Sequence, residues 1–286
     1  MFKIFNFKQL AVISFGLCLI MLTGALLNTF SPYVAADSKL SVSVPIVMYH
    51  QICEKESRCG DYAITVSLLR EDFQYLKDHN FHPVSFKSLE EYVKTGKPLP
   101  ENPIVITFDD GERSFITKVV PLLEEFSFPA NVNIVGALVD LYTENGETDD
   151  RYAYLNAEDI KELSANPLVE IGCHTYNLHT LGKRRGMSKL PDESETEYAT
   201  AMQNDITLFQ EKFYKITGKK TTYFAYPYGI RNDTVEDVLK NLKFTVTLTC
   251  RESPNTVTVG GDLYELGRFN RPFGKSSHNF FKKLTS

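Results

Sequence analysis

Short apolar runs alternate with longer amphipathic ones along most of this chain, and that rhythm restricts the fold more than any other feature. "VPIVMYH" reads as a strand, "SLLREDFQYLKDHN" as a helix and "FHPVSF" as a strand again. Ser88 is expected to cap a helix over "LEEYVKTG", with Gly96 as its stop signal. The strand "NPIVITF" leads into the helical "SFITKVVPLLEEF" and then the strand "PANVNIVG". "NAEDIKELSAN" follows as a helix and "LVEIGC" as a strand. The longest helix is expected from about Glu195 to Ile216, ending at Gly218, and "TTYFAY", "VEDVLKNL" and "FTVTLTC" complete a strand, helix, strand order. This alternation predicts a parallel sheet with helices outside it. In such α/β folds the chemistry collects on loops at the C-terminal ends of the strands.

The N-terminus stands apart from the pattern. Lys3 and Lys8 precede "LAVISFGLCLIMLTGALL", 18 residues without a charge, and Val34 and Ala36 occupy the two small-residue positions of a cleavage signature. Residues 1–36 are therefore expected to be a signal peptide or an N-terminal membrane anchor, placing the rest outside the cell or at its surface. Residues 37–286 contain no repeat, low-complexity tract or linker, and a single domain of that length suits an α/β barrel. With 43% hydrophobic residues the chain has material for a sizeable core, and its net charge of −5 with no basic stretch argues against nucleic acid. Cys53 and Cys59 flank the polar loop "CEKESRC", where a local disulfide and two free thiols are both open readings. Cys173 and Cys250 end apolar runs and read as buried small side chains.

"ITFDDGERSF" raises the first chemical question, because an apolar strand ends on adjacent carboxylates, Asp109 and Asp110. Like charges side by side are unfavourable unless a cation offsets them. After another strand, "CHTYNLH" offers His174 and His179, a spacing that does not stack imidazoles on one helix face but fits a loop folding its second histidine back. Two histidines and a carboxylate make a common catalytic metal shell with one position open. His50 follows "PIVMY" and Pro227, Tyr228 and Gly229 follow "TYFAY", so four polar clusters lie at strand ends and can converge on one mouth.

Together these motifs resemble the polysaccharide deacetylase family, also called the NodB-homology or carbohydrate esterase family 4 domain, over most of residues 44 to 274. "TFDDG" is similar to its first motif and "HTYNLH" to its second. "MYHQI", "HTYNLH" and "AYPYGIRND" together look like the branch that de-N-acetylates poly-β-1,6-N-acetylglucosamine. The resemblance implies a distorted (β/α) barrel and one divalent metal held by Asp110, His174 and His179, with Asp109 as general base. Zinc is the expected ion; cobalt, nickel and iron suit the same donors. A cation there would lower the pKa of water to about 7 and polarise an acetamide carbonyl.

"AYPYG" is similar to the third motif, in which the backbone N–H of the residue matching Tyr228 faces the tetrahedral intermediate. Pro227 has no N–H to give and Gly229 permits a tight turn. Tyr226, Pro227 and Tyr228 are carried over as substrate-binding residues, and Tyr223, Tyr226, Tyr228 and Phe273 offer rings for stacking on sugars. The wider family draws its acid histidine from a C-terminal motif. Here the only C-terminal histidine is His278, in a polar tail, and the resemblance assigns the role to His50 instead. "TTYFAYPYG" lacks the arginine that orients the base, and "ELGRFNRPFG" supplies Arg268 and Arg271, with a salt bridge expected from Arg268 to Asp109. His79 and His82 read as surface residues. The expected partner is an N-acetylglucosamine polysaccharide, met by a monomer with membrane or cell-wall association through the N-terminus. Peptidoglycan or chitin-type deacetylation, acetylxylan esterase activity and a non-catalytic carbohydrate-binding module stay open as alternatives.

Overall fold

The computed structural model describes residues 40–285, so the expected export segment, residues 1–36, lies outside them. The chain opens with β1 (Ser41–Val44), β2 (Ile46–Tyr49) and β3 (Gln51–Cys53), then β4 (Ala63–Thr65) and α1 (Val66–Asp78). Strand β5 (His82–Pro83) and α2 (Phe86–Thr95) lead to β6 (Pro103–Phe108), α3 (Val120–Phe126), β7 (Ala130–Ile134) and α4 (Gly136–Asn145). Next come α5 (Ala157–Leu163), β8 (Val169–Cys173), α6 (Glu195–Thr217), β9 (Tyr223–Ala225), α7 (Asp233–Asn241) and β10 (Val246–Leu248). Strands β11 (Asn255–Thr258), β12 (Leu263–Leu266) and β13 (Phe269–Asn270) precede a last helix, α8 (Ser277–Lys282).

The main sheet runs β12-β10-β9-β8-β7-β6-β2-β13, with β5 beside β6, and its pairings are parallel. Its two edge strands are successive in the chain, separated only by Gly267 and Arg268. The sheet therefore curls into a barrel whose ends are joined by a short connection rather than by hydrogen bonds. β1 and β11 form a separate antiparallel pair. Every residue of β6 is buried, as a parallel strand covered on both faces requires.

Helix boundaries follow local chemistry. The Thr65 hydroxyl accepts the Leu68 N–H at the start of α1, and Ser194 with Glu197 forms a capping box on α6. Gly96 and Gly218, both with left-handed φ, end α2 and α6 as expected. The cap of α2 is Ser85 rather than Ser88: its hydroxyl accepts the Ser88 N–H, and the helix starts at Phe86. The segment after "TFDDG" begins as a π-type turn over Phe115–Val119 before α3. Helix α4 goes beyond the expectation, because its apolar start continues the strand "VNIVG" without a polar break. Between the helices and the outer face of the sheet, Leu69, Phe73 and Leu76 of α1 and Met202, Ile206 and Phe209 of α6 pack into one core with Ile106, Phe108 and Val132. Cys53 and Cys59 are unbonded thiols here, Cys173 is buried, and Cys250 is exposed, contrary to the buried reading from its apolar run.

Candidate active site

Strand β6 ends at Phe108, so Asp109 and Asp110 emerge at the C-terminal mouth of the barrel. Asp110 then takes a left-handed backbone, φ 71°, which turns its side chain away from its neighbour's path. The two carboxylates consequently meet different surroundings. Asp109 is buried, and Arg268 grips it from the connection between the sheet's edges: Nη1 donates to Oδ1 and Nη2 to Oδ2, each at 2.7 Å. Asn133 of β7 adds an Nδ2 donor to Oδ1 at 2.8 Å. Its side chain passes directly over Gly172, where a Cβ would lie 2.1 Å from the Asn133 Oδ1, so only glycine leaves room. Arg268 is itself held by the Thr249 carbonyl at 3.0 Å. Burial alone pushes the Asp109 carboxyl upward, but the Arg268 charge and smaller pulls from His174 and His50 reverse this and hold it well below the usual carboxylate range.

Asp110 faces the histidines instead. Its Oδ1 lies 3.5 Å from His174 Nε2 and 3.2 Å from His179 Nε2. The Nδ1 of His174 lies 2.7 Å from the Ala225 carbonyl, a hydrogen bond that places the proton on Nδ1 and leaves the Nε2 lone pair for a ligand. One donor atom from each of Asp110, His174 and His179 lies within 4.8 Å of the others. Two imidazole nitrogens and one carboxylate oxygen, with an orienting bond behind His174, fit a divalent transition metal.

These groups line a cavity of about 650 Å³. His50 reaches it from the end of β2, with its ring edge-on to Tyr62 at 4.9 Å and its buried Nδ1 without a hydrogen bond. Burial pushes the His50 pKa down, with the two aspartates pulling the other way, so the ring is neutral at neutral pH. Tyr228 lies opposite, its ring 4.7 Å from His179 and its backbone at φ 58°. Gly229 follows with φ 68°, where a Cβ would sit 2.8 Å from that of Cys250, so the tight turn expected there is present. A second groove, about 720 Å³, lies between α2 and β12 and is lined by Lys87, Glu90, Lys94 and Tyr264; it contains none of the predicted residues.

The polysaccharide deacetylase family profile matches residues 96–247, more than half of the chain and the stretch that carries both aspartates and both histidines. The chain belongs to the polysaccharide deacetylase family. Among curated members, the poly-β-1,6-N-acetyl-D-glucosamine N-deacetylase of Escherichia coli K12 is 30% identical over 222 residues, covering 71% of this chain and 33% of that protein. The protein of the same name from Staphylococcus aureus MSSA476 is 30% identical over 190 residues, 66% of this chain and 62% of that one. This family member thus spans about a third of the length of the first relative and under two thirds of the second. The fold is also that of a de-N-acetylase from Aggregatibacter actinomycetemcomitans, with a TM-score of 0.72 at 23% identity over 85% of this chain and all of that one. IcaB from Ammonifex degensii gives 0.67 at 24% identity, over 80% of this chain and 92% of that one.

Two expectations for this family member need correction. Tyr226 is fully buried with its ring edge-on to Phe224, and Pro227 is buried beneath the turn, so neither side chain offers a surface to substrate. Their strand-end position places the backbone at the mouth but points these side chains inward. Tyr223 sits at the other end of β9, with its hydroxyl 3.3 Å from Glu90 and from Glu170, and Phe273 packs against the core; neither lines the cavity. Of the four aromatic candidates, only Tyr228 does. His278 and His79 are exposed, and His82 is half-buried with its Nδ1 on the Glu101 carbonyl. Arg271 pairs with Asp72 instead of a catalytic carboxylate. Sequence reading missed Tyr62, Leu181 and Arg185 on the cavity wall and Asn133 behind Asp109. Asn133 alone left a trace, as a polar residue in the apolar strand "ANVNI".

Proposed function

We propose that this protein removes N-acetyl groups from poly-β-1,6-N-acetylglucosamine, with one divalent ion, zinc in the first instance, held by Asp110, His174 and His179. The observation that carries the reading is the split environment of the adjacent aspartates: one is clamped by an arginine, the other is directed at two histidines. The names of the Escherichia coli and Staphylococcus aureus relatives support the choice of polymer. The metal, when bound, supplies a Lewis acid that polarises the acetamide carbonyl.

The remaining work falls to this chain's own side chains. Asp109, kept ionised by Arg268, accepts a proton from the attacking water. A carboxyl so acidic does not retain that proton, and His50, neutral and facing the same cavity, is the stronger base nearby. Protonated in this way, His50 donates to the glucosamine nitrogen as the carbon–nitrogen bond breaks. The Tyr228 N–H is assigned to the oxyanion, and the Tyr228 ring to the sugar. Export follows from the basic and then apolar N-terminal run, which puts the reaction at the cell surface, where such a polymer matures in biofilms.

The test is amine release from defined oligosaccharides. β-1,6-linked N-acetylglucosamine oligomers should be deacetylated with kcat/KM at least about tenfold above β-1,4-linked oligomers, the gain of roughly one well-fitted contact. A preference for β-1,4 linkage would reassign the substrate to chitin or peptidoglycan, and release of acetate from acetylxylan alone would make the protein an esterase.

A further inference from the structure

Strand β8 delivers His174 directly, but His179 meets Asp110 only because residues 175–178 fold back. Thr175 takes φ 70°, a conformation that is costly for a β-branched residue, and its own hydroxyl accepts the Leu178 N–H at 3.1 Å. Such a turn persists only when its surroundings hold it. From one side the first turn of α4 uses the loop's carbonyls: the Gly136 N–H donates to Thr175 at 3.1 Å and the Ala137 N–H to Tyr176 at 2.7 Å. From the other side Asp205, in the middle of α6, takes the loop's amides. Its Oδ1 accepts the Tyr176 N–H at 2.7 Å and its Oδ2 the Asn177 N–H at 2.8 Å. Both oxygens of one carboxylate are thus spent on consecutive peptide groups, in short charge-assisted bonds that fix the direction of the peptide planes.

We infer that Asp205 is a positioning residue of the metal site, setting the turn between His174 and His179 so that both Nε2 atoms face Asp110. The inference rests on reading Asp110, His174 and His179 as metal ligands. Groups that orient ligands from behind change metal affinity by about 10- to 100-fold when removed. Asp205 acts through the backbone between two ligands, so its loss should loosen His179 relative to His174 without touching the cavity.

Cobalt(II), titrated into metal-free full-length protein and followed by visible absorption, tests this without turnover. Asp205→Ala should raise the cobalt Kd by about tenfold or more, while the melting temperature of the metal-free variant stays within about 4 °C of wild type. Asp205→Asn keeps one acceptor oxygen and should fall between the two, which also decides the matter if the alanine variant does not fold. A folded variant that binds cobalt with wild-type affinity overturns the positioning role. Wild-type protein that takes up no cobalt overturns the metal reading itself, and this inference with it.

Discussion

Asp109 and Asp110 are neighbours in sequence with opposite surroundings, and that contrast makes their roles separable. Asp109→Asn removes the proposed base but leaves the two histidines and Asp110 in place. Turnover should fall about a hundredfold or more with metal content unchanged. Asp110→Asn should lose metal and activity together; equal metal loss in both variants would contradict the assignment. Arg268 gives a second handle. In wild type it holds the Asp109 carboxyl far below the working pH, so the base is ionised throughout. In Arg268→Met the main counter-charge is gone, only the smaller pulls of His174 and His50 still oppose burial, and the carboxyl moves upward. A base is active only when ionised, so as pH falls through the raised value the variant should lose kcat/KM at higher pH than wild type, whose acidic limb is left to its histidines. Parallel profiles would mean that Arg268 does not govern this carboxyl.

The elements that bring these residues together were only partly legible in the sequence. Strand ends were legible because apolar runs stop abruptly at "DD", "CH" and "YH", and parallel folds gather such ends at one mouth. Arg268 could be named only because a resemblance called for an arginine; nothing in "ELGRFN" tells that the connection between β12 and β13 closes the barrel beside Asp109. Helix α4 was hidden because "GALVDLYTEN" lacks a polar start, and Ser85 was passed over as a cap because Phe86 reads as the end of a strand. Asp72 was hidden too, as one more acidic residue on the amphipathic α1. It is fully buried, bound by Arg271 Nε at 2.8 Å and Nη2 at 2.9 Å and by the Tyr49 hydroxyl at 3.1 Å. This links α1 to the segment after β13. Asp72→Ala leaves a buried arginine unpaired and should destabilise the fold by about 3–5 kcal/mol in denaturant unfolding. A loss under about 1 kcal/mol would show that the surrounding structure relaxes to admit water.

The curled sheet as a whole explains how the proposed site can be assembled from residues 50 to 268 with none of its residues adjacent in sequence except the aspartates. Its first-entering strand, β2, lies between β6 and β13, so His50 and Asp109 leave adjacent strand ends at one mouth, and Arg268, just before β13, reaches Asp109 from the connection between the sheet's edges. Opposite them, β8 and β9 bring the histidines and Tyr228. Everything proposed for this protein depends on one cation at the centre of that mouth. The direct measurement is amine release from a β-1,6-linked N-acetylglucosamine oligomer by the purified protein, before chelation, after exhaustive chelation, and after one equivalent of zinc or cobalt is returned. The account predicts activity, its loss, and its recovery in proportion to metal bound. Undiminished amine release from protein stripped of metal would contradict it.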